Sequence, residues 1–229
     1  LGQVDLANGC SLVVAQALAL GSRGQELSSL ALEILPPAVS QATAARLADL
    51  LLRRQELRLA AQLIRDGLAV RGDLLLLDGA LHGLLPQLYP LRLDETLPLP
   101  DYPREVLEAY LDLLDLAAEA GVDLLAVAKS SRQTVHTAVW GRAAAPPQAI
   151  PAGWSDASLL HRHTLEEAGL SRPVVLGSHG FAGGSLDILA RPEVAASPAI
   201  ASCYVRLAPW EELLRLDLPA SQAGDPRSL

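Results

Sequence analysis

Apolar and polar positions alternate with two different periods along the chain. Residues 2–20 read as extended: Val4 and Leu6, then Leu12–Ala19, with Asn8-Gly9 between them. Asn-Gly between two strand-like runs predicts a hairpin, because glycine adopts the positive φ that a tight turn needs. Pro36-Pro37 breaks the chain. From Ser40 to about Leu68 the period becomes helical, with Leu47, Leu50, Leu51, Leu57 and Leu63 mostly three or four residues apart. Gly67 and Gly72 bracket its end. Leu74–Leu77 is a continuous apolar run closed by Asp78-Gly79, the pattern of a strand buried on both faces. Residues 90–103 are proline-rich and predict a loop. Pro103 then opens a helix to about Ala120, closed by Gly121.

Val122–Ala128 reads as a second buried strand ending at Lys129-Ser130-Ser131-Arg132. Residues 141–153 form an Ala/Pro/Gly loop. Ser155 or Asp156 caps a helix to about Ala168, and Val174–Leu176 is a short strand. Residues 177–200 are glycine-containing with little period and predict a loop insertion. Ser202–Leu207 alternates as a strand, whereas Trp210–Leu218 fits helix or strand. Strands alternating with helices predict one α/β layer domain over residues 1–229, with a central sheet that the opening hairpin makes mixed.

Composition narrows the class. Half of the 229 residues are apolar, enough for a core and too many for a disordered chain. No apolar run approaches the roughly 20 residues of a membrane span, so no membrane contact is expected. Two cysteines, Cys10 and Cys203, make no disulfide framework and predict a reducing cytoplasm. Twenty-six acids against 18 bases, a formal charge of -8, argue against a protein that coats nucleic acid. A nuclease is compatible, since metal-holding carboxylates add negative charge. The chain has no methionine and one lysine, Lys129.

Three acids stand out by placement: Asp5 in the first extended segment, Glu56 in the long helix and Asp78 at the end of the 74–77 strand. An acid at the end of a buried strand faces the crevice where α/β folds place ligands. Converged carboxylates would hold Mg²⁺ or Mn²⁺ through hard oxygens. Each acid also has a plainer reading. Asp78-Gly79 is a turn dipeptide, Glu56 has Arg53, Arg54 and Arg58 beside it, and Asp5 could decorate a strand edge. Lys129, followed by two serines and Arg132, is an anion-binding arrangement or a solvated strand end.

In order and spacing these segments resemble the NurA nuclease family. Arg53-Arg54-Gln55-Glu56 is followed by Leu76-Leu77-Asp78-Gly79-Ala80-Leu81, similar to the family's helical Glu and its strand ending in Asp-Gly. Leu125–Arg132 is similar to its strand ending in Lys-Ser. Asp156-Ala157-Ser158-Leu159-Leu160 with Gly169–Pro173 is similar to its acidic helix and exit, and Cys203-Tyr204-Val205-Arg206-Leu207 to its late Tyr-containing strand. The resemblance implies an RNase H-like α/β core with a central mixed sheet flanked by helices. It implies a Mn²⁺-dependent deoxyribonuclease, with Mg²⁺ as a possible substitute, of the 5'-3' exonuclease and single-strand endonuclease type. Its role would be end resection at double-strand breaks, on single-stranded DNA and duplex ends. It further implies a homodimer and a hexameric ATPase translocase, HerA, as partner. Carried over by position, Asp5, Glu56 and Asp78 are metal ligands, Lys129 contacts a phosphate and Tyr204 lines the site. Lys129, Arg132 and Arg206 are the expected DNA contacts.

Asp5 is followed by Leu6-Ala7 where the family has Gly-Ser, and no His follows the Tyr204 strand where the family has a C-terminal one. With the missing methionine, these departures predict further segments beyond both ends. They also keep a second reading open: a non-catalytic module docking on an oligomeric DNA-processing partner. His163 with Glu166 is a weak metal pair, His82 could sit near Asp78, and His136 and His179 show no pattern. Trp140, Trp154 and Trp210 and both cysteines are expected in the core.

Overall fold

The computed structural model describes residues 1–6, 8–37, 39–81, 101–129, 136, 154–176 and 198–224. The chain forms two compact units, Leu1–Leu75 with Gln87–Asp123 and Leu76–Pro86 with Leu124–Leu229.

The first unit opens with an antiparallel sheet of β1 (Gly2–Asp5), β2 (Ser11–Leu20) and β3 (Glu26–Leu35), in the order β1-β2-β3. The Asn8-Gly9 turn forms as the sequence predicts. Gly9 has φ +80° and donates its N–H to the Leu6 carbonyl at 2.9 Å. Asp5 then pairs with Ser11. β3 is an element the periodicity did not single out. Its polar residues fall in both phases, Glu26 and Ser28 on one face and Ser29 and Glu33 on the other, so no clean alternation marks it. The hairpin belongs to this separate sheet rather than to the one that carries β4, so, contrary to expectation, it is not what makes the central sheet mixed.

Helix α1 (Gln41–Arg65) packs on β2 and β3. Ser40 caps it, its hydroxyl accepting the Thr43 N–H at 3.2 Å. Val13, Ala15 and Ala17 of β2 are buried on the side of the sheet that α1 covers, as are Leu47 and Leu51 of the helix. Small alanines let the helix approach closely. Helix α2 (Tyr102–Ala120) packs against α1 through Val106, Tyr110, Leu113 and Leu114. Asp101 caps it, Pro103 lies in its first turn, and Gly121 closes it in the left-handed region at φ +68°. Arg54 and Arg58 of α1 pair with Glu105 of α2, and Arg65 with Asp112.

The opposite face of the three-stranded sheet is exposed and mostly apolar, with Gln16, Ser28 and Glu26 its polar members. Val4, Leu18, Leu20, Leu30, Leu32 and Ile34 are each more than half exposed. Register places Val4 beside Leu12, Leu12 beside Ile34 and Val14 beside Leu32, so these residues form one surface.

The second sheet runs in the order β4-β5-β9-β8-β6, with β7 also pairing β8. Its strands are β4 (Leu74–Asp78), β5 (Asp123–Ala128), β6 (Gly169–Leu170), β7 (Val174–Val175), β8 (Ile200–Arg206) and β9 (Leu214–Pro219). The line dividing the two units passes within β4 and within β5. Asp123 N–H bonds Asp73 C=O, and Gly79 N–H bonds Val127 C=O, so β4 and β5 advance in one direction, joined through α2. β9 runs antiparallel to β5 and to β8, so the sheet is mixed. β4 is a strand as predicted, but Leu74 and Leu76 are 51 % and 64 % exposed rather than buried on both faces. The ambiguous stretch before Pro219 resolves as β9.

Helix α3 (Asp156–Thr164) starts at its Ser155 cap and ends four residues before the predicted Ala168. Trp210 is exposed, not in the core. It holds φ +68°, pinned by its N–H bond to the Leu165 carbonyl at 2.8 Å. Cys203 is in the core as expected, whereas Cys10 is half-buried in the turn before β2. Of the predicted 90–103 loop, residues 102–103 already belong to α2, and of the predicted 177–200 insertion, Ile200 begins β8; the rest of the expectations for residues 90–100, 141–153 and 177–197, and for His82, Trp140 and His179, concern residues outside those described. No helix among the described residues is long and apolar enough to cross a membrane.

Candidate functional site

Asp5 ends β1. It is exposed, and its Oδ1 accepts the Ser11 hydroxyl at 3.0 Å. Glu56 lies midway along α1, half-buried, with Arg53 Nη1 at 2.9 Å from its Oε2 one turn earlier. Asp78 is exposed at the end of β4. The next residue, Gly79, takes φ +107°, a conformation that side chains resist, and so allows the chain to turn sharply after the acid. Lys129 is exposed directly after β5. Among the described residues no three or more His, Cys, Asp or Glu side chains gather as they would around a metal ion. The donor set itself, three carboxylates with no thiol, is of the oxygen type that Mn²⁺ and Mg²⁺ select. Arg132 falls outside the described residues.

Within the second unit, sequence reasoning missed a different polar constellation. Ser202, Tyr204 and Arg206 share one face of β8, since alternate residues of a strand point the same way. Register sets Arg215 opposite Tyr204 and Asp217 opposite Ser202. All five are buried. Arg215 donates from Nε to Asp217 Oδ1 at 2.8 Å and from Nη2 to Asp217 Oδ2 at 2.7 Å, a two-pronged charge-assisted pair. Its Nε also lies 3.0 Å from Ser202 Oγ.

Asp156, the first residue of α3, is fully buried against the same face. Its Oδ2 accepts the His136 backbone N–H at 3.0 Å and the Tyr204 hydroxyl at 3.4 Å. The His136 ring meets Tyr204 edge-on, with centroids 5.1 Å apart. Burial holds the His136 imidazole below its ordinary pKa. The Arg215 guanidinium pushes the same way, while Asp156 and Asp217 oppose.

Tyr204, expected to line a substrate site, is therefore buried, with its hydroxyl turned onto Asp156. Arg206, expected to reach DNA, is also buried. Its Nε donates to the Glu211 carbonyl at 3.0 Å, its Nη1 donates to the Thr164 carbonyl, and its Nη2 lies 3.5 Å from His161 Nδ1. Here the guanidinium joins the end of α3 to β8. His163 is exposed and belongs to no metal group among the described residues. Sequence signals for this layer existed, in the spacings Ser202-x-Tyr204-x-Arg206 and Arg215-x-Asp217. Polar residues in one strand phase ordinarily mark a solvated face, whereas here Ala201 and Cys203 on one face of β8 and the polar residues on the other are all buried.

The mixed sheet, the helical crossover and the acids at strand ends define an α/β protein of the RNase H-like class, the fold of the solved structures it matches. The chain belongs to the NurA domain family, whose model matches residues 2–227. Similar solved structures include the NurA nuclease from Sulfolobus solfataricus, at 18 % identity and TM-score 0.57, covering 96 % of this chain and 65 % of that one. A NurA structure with manganese has 13 % identity and TM-score 0.58, covering 99 % of this chain and 78 % of that one. One bound to dAMP and manganese has 13 % identity and TM-score 0.60, covering 99 % and 77 %. This chain thus spans 65 % of the length of the Sulfolobus chain. No curated protein matches it significantly.

Proposed function

We propose that the chain is a metal-dependent deoxyribonuclease that cuts DNA phosphodiester bonds. The observation that carries this reading is the NurA family match over residues 2–227. Manganese in two similar structures, one also holding dAMP, supports Mn²⁺ as the metal and a nucleotide phosphate as the group attacked. When bound, the metal would supply Lewis-acid activation of water and neutralise charge on the phosphate. Asp5, Glu56 and Asp78 supply the carboxylates to hold it. The partly exposed Arg53 pair is a weak hold on Glu56, since such pairs contribute about 0–1 kcal/mol. The exposed Lys129 ammonium pairs with a phosphate oxygen as negative charge builds there.

The finer reading is a 5'-3' exonuclease and single-strand endonuclease in end resection, working in the cytoplasm as a homodimer with a hexameric translocase. Family membership is what supports it.

The test is end-labelled single-stranded DNA with Mn²⁺, Mg²⁺ or chelator, comparing the chain with its Asp78→Ala variant. Metal-dependent cleavage that falls roughly 100-fold or more in the variant is expected, by analogy with losses at metal-supporting residues. Cleavage undiminished in Asp78→Ala sinks the assignment. Absence of cleavage with either metal, translocase added, favours the docking-module alternative. Labels at the 5' and the 3' end read polarity in the same experiment.

A further inference from the structure

Two segments of the second unit meet at the end of β8. One follows α3, from Leu165 to Leu170, and the other leaves β8, from Leu207 to Glu212. Register pairs Gly169 with Arg206 and Leu170 with Val205, and the Trp210 N–H bonds the Leu165 carbonyl at 2.8 Å. The buried Arg206 guanidinium bridges them, donating to the Thr164 carbonyl and, at 3.0 Å, to the Glu211 carbonyl. A buried charge spent on main-chain carbonyls fixes both segments in one arrangement, so the groups they expose are held ready for a partner.

Those groups are apolar with an acidic rim. Leu207 and Trp210 are each more than half exposed and Leu170 nearly half. Leu170 stands opposite Val205 and Leu207 lies two residues further along, so the two share one side of the strand pair. Trp210 is the one non-glycine residue in the left-handed region among the described residues. Its surroundings impose that strain, and the core does not reward it, because the indole is exposed. Glu166, Glu167, Glu211 and Glu212 are all exposed in the same two segments. They outnumber the exposed arginines that flank them, Arg162, over the Trp154 ring at 5.2 Å, and Arg172. A surface of this sign repels a phosphate backbone and attracts a basic protein.

We propose that this edge docks a protein partner that presents a basic segment carrying aliphatic side chains. Trp210, Leu207 and Leu170 take the aliphatic groups, and the four glutamates pair with the flanking Lys or Arg. The inference is independent of the nuclease reading and is tested without cleavage.

The probe is a fluorescein-labelled peptide alternating Lys and Leu, read by anisotropy on the metal-free chain, beside a Glu-Leu peptide and single-stranded oligothymidylate. The Lys-Leu peptide is expected to bind, more weakly as salt rises, and the Glu-Leu peptide not to bind. Trp210→Ala is expected to weaken the Lys-Leu peptide roughly tenfold or more, the loss typical of a central aromatic anchor. That variant keeps the formal charge of -8, so the loss locates the peptide at this edge rather than on the acidic chain at large. Leu32→Ser, on the exposed face of the first unit, is expected to change nothing. Replacing the four glutamates by Gln is expected to weaken binding and flatten its salt dependence. All these positions except Leu170 are more than a third exposed or lie on the surface, so the melting temperature serves as a check that each variant is folded.

No binding of the Lys-Leu peptide, or binding indifferent to Trp210→Ala or to the four Gln, overturns the proposal. A Trp210→Ala chain that loses oligothymidylate and keeps the peptide also overturns it, making the indole a base-stacking surface. If the chain sediments as an oligomer that Trp210→Ala dissociates, the occupant is a second copy and the proposal fails equally.

Discussion

Arg215 and Asp217 are 2 % and 1 % exposed, and each satisfies the other's charge. Truncating one partner strands a buried charge, which costs about 3–5 kcal/mol, whereas an exposed pair such as Arg104–Glu108 contributes well under 1 kcal/mol. Arg215→Ala should therefore lower the denaturant midpoint sharply, and Arg104→Ala barely at all. Equal effects in urea unfolding contradict the assignment. His136 gives a pH dependence whose sign is fixed by its lowered pKa. The unfolded chain takes up the imidazole proton near pH 6.5, while the folded chain resists it to lower pH. Stability contributed by neutral His136 is thus present above pH 6.5 and falls as the pH drops below it. His136→Gln should flatten the melting temperature between pH 7 and 5.5. A slope identical to the unmodified chain's would show that His136 does not titrate with folding. Cys203, whose thiol burial pushes up to about 11, should stay unmodified by iodoacetamide while half-buried Cys10 reacts.

At the scale of elements, what the sequence revealed depended on whether local signals agreed with burial. Helices α1 and α2 were legible because the helical period coincided with Pro103 at the start of α2 and the closing Gly121, while the caps Ser40 and Asp101 take positions their chemistry favours but were not singled out. The opening hairpin was legible from Asn8-Gly9. The β4 strand was visible but its burial was misjudged, because an unbroken Leu74–Leu77 run normally means cover on both faces. The polar layer of β8 and β9 was hidden for the converse reason, since pairing such as Arg215–Asp217 is not visible in a pattern of residue types. Site residues that need only a strand end, Asp78 and Lys129, were placed correctly on their elements. Tyr204 and Arg206 were placed on the right strand but their inward direction was not foreseen. The packing of α1 yields a direct check. Leu51 is fully buried, so Leu51→Ala should cost about 2–5 kcal/mol, against roughly 1 kcal/mol for Ser40→Ala at the cap. A reversed order in thermal unfolding would mean that the helix is held by its end rather than by its face.

For the whole molecule, the formal charge of -8 and the open apolar sheet face act in opposite directions on solubility. Antiparallel sheets usually turn a polar face to water. Here Leu30, Leu32 and Ile34 stand outward with Leu18, Leu20 and Val4, and the one charged residue that the strands add to this face, Glu26, lies at its end beside Leu20. Leu32→Lys should leave the melting temperature within about 0.5 kcal/mol equivalent, because the side chain is already 60 % exposed. It should also raise the concentration at which light scattering increases. A large fall in melting temperature would mean that this face is covered in solution.

That open face has a thermal consequence. Attraction between apolar surfaces strengthens on warming and in sulfate, and weakens on cooling. A solution of this protein that is clear on ice should cloud reversibly as it is warmed, below its unfolding temperature, and sulfate should bring the clouding point down.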